Sequence, residues 1–294
     1  MQTDDLTVDL DATRDAIDHW RAALPDRLEK EIRWLRAEAI DLLLGDVPPL
    51  AFTAAARAGV PSVAFANFSW DWIYAEMGFE AAAREAAEAY AGAGLLVELT
   101  PAAPMPAFPR RVSVGVIGRR SSRDGREVRR CLGVMDTEQL ILPAFRSRGD
   151  AILSLPAPRA GVRYVQPAPA GPSDQRGGRS DLVTLGADVD FLDAVAAADA
   201  IVAKPGYGII GDAMRAGVRL LYTERSGFPE DPVLRAWLQT QPGTAPISAE
   251  RLAAGDWSKE LERLLASPRP QPVGEAPLHT AAEAIEASLT GEAR

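Results

Sequence analysis

The stretch Asp199–Asp212, DAIVAKPGYGIIGD, gathers one lysine, a tyrosine and three glycines between an apolar run and a helix-like segment. Lysine is scarce in this chain. Lys30, Lys204 and Lys259 are the only three, while arginine is abundant. AIVA reads as a strand, and IIGDAMRA reads as a helix closed by Gly217. The loop Lys204–Gly208 therefore falls between a strand's carboxyl end and a helix's amino end, where open α/β sheets bind ligands. First-turn N–H groups and the helix dipole favour an anion at such a place. Gly206 and Gly208 permit close backbone approach, and Lys204 adds a full positive charge. The chemistry that fits is a phosphate or diphosphate. A bland alternative stands beside it: glycines are common at strand–helix junctions, and a lysine stem also snorkels to solvent with no ligand.

The same residues spell a second pattern. Gly206, Gly208 and Gly211 form G-x-G-x-x-G, with Glu224 at the end of the next strand, as in an oxidoreductase that binds NAD(P) or a flavin. Three features count against it: Lys-Pro before the first glycine, a short following helix, and a position late in the chain. Asp188-Val189-Asp190 resembles a metal-holding Asp-x-Asp, but it precedes an apolar helix, so Asp188 is expected as an N-cap. Trp70, Trp72 and Tyr74 form an aromatic stripe of the kind that more often belongs to a core. Cys131 is the only cysteine, and His19 and His279 are far apart, so no metal site and no cofactor is expected.

The elements that must position these residues follow a regular alternation. Ala12–Ala37 carries Ile17, Trp20, Leu24, Leu28, Ile32 and Leu35 at helical spacing. A strand through DLLLGD ends at Asp46. A helix from Leu50 to Ala58 closes on Gly59, SVAFAN is a strand, Trp70–Tyr90 is an alanine-rich helix, and LLVEL is a strand. Alternating strands and helices imply parallel sheets covered on both faces. The proline-rich Thr100–Arg111 is expected as an interdomain crossover. Beyond it QLILPAF, AILSL, VRYVQ, DLVTLG, AIVAK and RLLYTE are expected strands. Helices follow from Pro232, around Arg251 and Asp256, and from Thr280. The expected division is a domain over 1–105 and a second over 106–294, with the last helix a candidate to return to the first.

The chain has 294 residues and a net charge of −9, which disfavours nucleic acid as a partner. Its acidic amino terminus is unlike a signal peptide, no window has the length of a membrane span, and the cytoplasm is the expected location. Arginines cluster between Arg110 and Arg130. They suit an anionic substrate or peripheral contact with a membrane surface, although such clusters are more often solvated helix faces.

Two blocks carry a resemblance: DLLLGDVPPLAFTAAARAGVPSVAFANFSWDWIYAEM and AAADAIVAKPGYGIIGDAMRAGVRLLYTERSGFPEDPVLRAWL. They are similar to the glycosyltransferase-like region of plant-type L-arabinokinases. That region resembles GT-B glycosyltransferases, including the enzyme that adds N-acetylglucosamine to the peptidoglycan precursor. The likeness runs from about Thr7 to Leu265. It implies an α/β protein of two Rossmann-like domains facing a cleft, transferring sugar from a nucleoside-diphosphate sugar to a hydroxyl acceptor without a metal. The carboxyl-terminal domain would hold the donor and the amino-terminal domain the acceptor. Lys204, Gly206, Tyr207 and Gly208 then fall on the donor diphosphate loop, and Asp212 on a ribose contact for which the family uses glutamate. Glu230 and Asp231 match an acidic pair near the sugar. Asp46, Asn67, Ser69 and Asp71 lie at strand ends on the acceptor side. Asp46 is the first candidate for general base and Asp71 the second, with helix capping the alternative for Ser69 and Asp71. The family's opening strand and glycine-rich loop have no counterpart before DDLTVDL, so either the start codon is misassigned or the first domain lacks its first strand. A binding protein that has lost catalysis is therefore the alternative in a second class. At Ile141–Gly149, Arg146 and Arg148 replace a glycine-rich turn of the family. No phosphate loop of a sugar kinase follows.

Overall fold

The computed structural model describes residue 6 and residues 8–145, 153–166 and 179–290. The chain opens with helix α1 (Leu10–Ala37), then β1 (Leu43–Gly45), α2 (Pro49–Ala58), β2 (Ser62–Ala66), α3 (Trp70–Glu76), α4 (Glu80–Ala91), β3 (Leu95–Glu98) and β4 (Arg111–Ser113). The four strands form one parallel sheet in the order β1-β2-β3-β4. The segment expected as a single helix over Trp70–Tyr90 is two. Gly78, at φ +78°, turns the chain between them, a conformation open to glycine at no steric cost.

The proline-rich stretch does not leave this lobe. β4 pairs with β3 through Leu96–Arg111, Val97–Val112 and Glu98–Ser113, so the first sheet extends beyond residue 105 and the prolines form a loop within it. Arg111 and Ser113 bond Glu98, and Asn67 holds the loop from the neighbouring strand end. The crossover begins only after Ser113.

The second lobe contains α5 (Gly125–Cys131), β5 (Gln139–Ala144), β6 (Val162–Gln166), β7 (Leu182–Thr184), α6 (Phe191–Ala197), β8 (Ala200–Ala203), α7 (Tyr207–Ala216), β9 (Arg219–Thr223), α8 (Glu230–Gln239), β10 (Thr244–Ile247), α9 (Ala249–Ala254), α10 (Ser258–Ala266) and α11 (Ala276–Thr290). Its six strands are parallel, in the order β10-β9-β8-β5-β6-β7. The chain builds outward from β5 in one direction and then from β8 in the other. This doubly wound order opens a crevice where β5 and β8 end. AILSL is not a strand where it is described. Leu153–Pro156 is irregular, and the Ser154 carbonyl accepts from the indole N–H of buried Trp257. The N-cap of α6 is Asp190, not Asp188. Asp190 and Asp193 form a reciprocal capping box.

The second sheet lies between two apolar layers. Leu140, Ile201, Leu220, Ala213 and Leu234 belong to one, and Ile141, Val202, Leu221, Leu252 and Trp257 to the other. In the first lobe Phe52, Tyr90 and Phe108 stack over one face. On the other face Ala281, Ala284 and Ile285 of α11 meet Val63, Leu95 and Val97, so the last helix packs on the first sheet. α1 is uneven. Leu28, Ile32 and Leu35 are buried against α2, but Leu10 and Trp20 are 48% and 40% exposed, so the apolar stripe of its amino half reaches no core.

Candidate functional site

The donor-side loop lies where the sheet order reverses. β8 is buried throughout, Lys204 is half-buried at its end, and Gly206 is the N-cap of α7. A Cβ added at Gly208 would meet nothing within 4 Å, and at Gly206 only Ile209 Cγ2 at 4.0 Å. The amino end of α7 therefore faces open space, as an anion site between helix end and cleft requires. Arg146 and Arg148 lie outside the described residues.

Gly211 is built for a different contact. A Cβ there would come within 2.3 Å of the Ile117 carbonyl oxygen, and one on Gly118 within 2.0 Å of the Gly211 carbonyl oxygen. Two glycines thus let the interlobe crossover run backbone to backbone against α7. This accounts for the third glycine of the G-x-G-x-x-G pattern without a dinucleotide. Asp212, next along the helix, is 1% exposed and bound to the same crossover. It accepts from Arg119 N at 2.9 Å and pairs with Arg119 Nη2 at 2.7 Å. That hydrogen bond raises the Arg119 pKa. Asp212 fastens the crossover to the lobe; no contact places it toward the open side of the loop.

Other arginines of the 110–130 cluster are likewise engaged within the protein. Arg111 pairs with Glu98, Arg123 with Asp193 and Glu127, and Arg129 with Asp199. Sequence proximity suggested a patch; the fold distributes these guanidiniums as internal ties.

Glu230 and Asp231 open α8. Asp231 is 2% exposed, accepts from Arg225 N at 3.1 Å and pairs with Arg235 Nε at 2.8 Å. Burial outweighs these cations and raises its carboxyl above the usual range. Glu230 is 4.0 Å from Arg225 Nη2. Its charge, after the larger effect of burial, helps to raise the phenol of Tyr207.

On the first lobe, β1 delivers Asp46 to an exposed position, and partial desolvation by the surrounding lobe raises its carboxyl above the ordinary range. Val47 beside it has φ +48° and is 1% exposed. A β-branched residue in that region is strained, and such strain concentrates at functional sites. Its carbonyl is held by the buried Tyr90 hydroxyl, which donates to it at 2.7 Å. The same hydroxyl accepts from Trp70 N at 3.3 Å, joining the Asp46 loop to the start of α3. Burial pushes the Tyr90 phenol far up, with Asp71, Tyr74 and Asp46 adding to the effect.

Ser69 stands at the N-cap of α3, yet its side chain makes no cap bond. Its Oγ and Asp71 Oδ1 are buried without a hydrogen-bond partner. Ser69 is 0% and Asp71 7% exposed. Native proteins rarely leave such groups unmatched. Asn67 is differently employed: its Nδ2 donates to the Pro101 carbonyl at 2.8 Å. The two lobes meet at Phe68, whose ring stacks on Tyr207 at 5.7 Å and 17°. Phe68, Tyr90, Val47, Arg119 and Arg225 were not singled out from the sequence. Phe68, Tyr90, Val47 and Arg119 act through contacts distant in the chain, whereas Arg225 acts through Phe228, Glu230 and Asp231 close by.

No protein-family model matches the sequence. Among curated proteins it is 31% identical over 273 residues to an L-arabinokinase of Arabidopsis thaliana; the match covers 90% of this chain and 26% of that protein, so the chain spans about a quarter of its relative. Among solved structures, Arabidopsis thaliana UGT89C1 complexed with UDP matches with TM-score 0.59 at 14% identity, over 94% of this chain and 80% of that one. The glycosyltransferase VinC with dTDP gives 0.55 at 16%, over 90% and 71%. The MurG of Acinetobacter baumannii gives 0.55 at 15%, over 88% and 77%.

The fold is that of the GT-B glycosyltransferases. In this GT-B fold, Tyr207 of the glycine loop meets Phe68, next to Ser69 and two residues before the start of α3. No described helix is long and apolar enough to cross a membrane. No group of three metal-ligating side chains is present among the described residues.

Proposed function

We propose that the chain binds a nucleoside-diphosphate sugar and transfers its sugar to a hydroxyl acceptor. The observation that carries this reading is the open amino end of α7, with Gly206, Gly208 and Lys204 at the reversal point of the second sheet. The acceptor oxygen bonds to the anomeric carbon, and the carbon–oxygen bond to the diphosphate breaks, with its electron pair leaving on the diphosphate. Amides of residues 206–209, the α7 dipole and the Lys204 ammonium stabilise that charge without a metal. The acceptor proton passes to a carboxylate. Asp46 is the first candidate and Asp71 the second. Tyr90 fixes both segments, so it is a positioning residue. Glu230 is the candidate to meet donor sugar hydroxyls, while Asp231 orders Arg225 and Arg235 around it. Plant UGT89C1 and VinC, whose structures hold UDP and dTDP, support the nucleotide assignment. The sparing use of cysteine fits a cytoplasmic setting.

Calorimetry of wild type and Lys204→Ala against UDP- and GDP-sugars tests the donor site. Wild-type binding that weakens in the variant is expected. Equal affinity for every donor would remove Lys204 from the scheme. Donor binding with no turnover on any hydroxyl acceptor would leave a nucleotide-sugar-binding protein. Binding of NAD(P) or a flavin in place of nucleotide sugars would favour the oxidoreductase.

A further inference from the structure

A recess of about 350 Å³ opens in the second lobe where the crossover after β4, helices α6 and α7, and the segment 272–274 come together. Its size is within the range of small-molecule sites. No residue of 204–208 lines it, and neither Asp46 nor Asp71 does. Arg215 and Ala216 bring the carboxyl end of α7 to it, so it lies about one helix length from the glycine loop. Four arginines line it, Arg119, Arg120, Arg123 and Arg215, against one carboxylate, Asp124. Asp124 already accepts from the amides of Arg126 and Glu127 at the start of α5. In a chain of net charge −9, that local excess of cations calls for an explanation.

Three of the guanidiniums are held by carboxylates that do not line the recess. Asp212 pairs with Arg119 at 2.7 Å, Asp193 with Arg123 at 3.4 Å, and Glu275 with Arg215 at 2.8 Å. The Asp212 side chain is 2% exposed and that of Arg119 67%, so the cation is the member of that pair offered to a ligand. Such ties order long side chains in advance, which leaves less rotamer freedom to lose on binding. Arg120 differs: it is exposed and pairs with no carboxylate among the described residues. Arg215 differs again. Its side chain is 9% exposed, and its Nη1 and Nη2 donate to the Val273 carbonyl and Glu275, yet its Nε is buried without an acceptor. The last carbonyls of α7 are bonded by the amides of Gly217, Val218 and Val273, which mutes the negative end of that helix. Leu192, Val195, Pro272 and Val273 supply an apolar remainder.

We propose that this recess is a second anion site and that it takes a small phosphorylated compound, with phosphate oxygens on Arg119, Arg120 and Arg215 and a compact apolar part on Leu192, Val195 and Pro272. Planar guanidiniums match phosphate oxygens two at a time, and these charge-assisted bonds are the strong ones. Several guanidiniums around one space offer more donors than the two oxygens of a carboxylate can fill, which favours phosphate. A phosphate oxygen also supplies the acceptor that the buried Nε of Arg215 lacks. No residue of the glycine loop takes part, so the assignment does not depend on the transferase reading.

The test is calorimetry of the full chain at low salt with phenyl phosphate and with benzoate. Phenyl phosphate is expected to bind, to weaken as salt is added, and to bind at least 10-fold more tightly than benzoate. Two variants carry the assignment. Arg120→Glu reverses an exposed, unpaired charge, and Leu192→Glu puts a carboxylate into the recess from the first turn of α6, where an acid suits the helix. Each should weaken phenyl phosphate by roughly 10-fold or more, while Lys204→Ala should leave it unchanged. If phenyl phosphate does not bind, or binds both Glu variants as tightly as wild type, the site is refuted. Weakening by Lys204→Ala alone would put the anion at the glycine loop and refute it equally. Benzoate bound as tightly as phenyl phosphate refutes the ligand class. Cosedimentation with phosphatidylglycerol vesicles that Arg120→Glu abolishes, with no phenyl phosphate bound in solution, would assign these cations to a lipid surface and overturn the small ligand.

Discussion

The two lobes prepare for ligands in opposite ways. The second lobe offers backbone: a six-stranded sheet reverses its order, and two glycines leave a helix end uncovered. The first lobe has four strands in simple sequence and no reversal among the described residues. There the site is made of side chains, a strained Val47, a buried Tyr90 hydroxyl, and unmatched oxygens on Ser69 and Asp71. A cradle of amides suits a diphosphate common to many donors. A set of packed side chains suits the partner that differs from one enzyme to the next.

The contrast can be broken most directly at the acids. Asp46→Asn should lower turnover by roughly 10²–10⁴-fold in a coupled transfer assay while donor affinity stays constant. Because burial raises the Asp46 carboxyl and the base must be ionised, activity should rise with pH through a limb above the usual carboxylate value of about 4. On the other lobe, Lys204→Ala should weaken donor binding by roughly 10–100-fold in calorimetry. The glycines of α7 sharpen the same division. Gly211→Ala should lower the urea-unfolding free energy by about 1–3 kcal/mol, because its methyl group would press on the backbone of Ile117 and Gly118. Gly208→Ala should be neutral or stabilising by up to about 1 kcal/mol, yet should reduce donor affinity. Smallest is Tyr90→Phe, with a loss of about 1 kcal/mol of stability and a fall in turnover without a change in donor KM.

Much of this was legible in the chain. Alternating apolar runs and capped helices gave most strands of both sheets, and the glycine loop gave the junction of β8 and α7. The proline stretch misled because its residues exclude a central strand but do not exclude a loop that ends in an edge strand: β4 is three residues long and pairs on one side only. β10 was overlooked for a similar reason, since Thr244–Ile247 is short and contains a proline. The resemblance makes Asp212 and Asp231 ligand contacts. Arg119, the partner of Asp212, lies 93 residues away and meets it only in the folded chain, whereas Arg225 and Arg235 flank Asp231 locally. Phe68 needed the meeting of two lobes, and no local period encodes that.

The tie between Gly118 and Gly211 limits how the molecule can flex. From Ile117 onward the crossover is fixed to α7, and Pro277 of the returning chain leans on Gly115. Val114–Val116 is the short stretch between the end of β4 and that tie. The start of the chain spans the same gap, since the Leu6 carbonyl accepts from Ser226 N while α1 is rooted against α2. The crossover and this amino-terminal contact therefore tie the two lobes together at separate places.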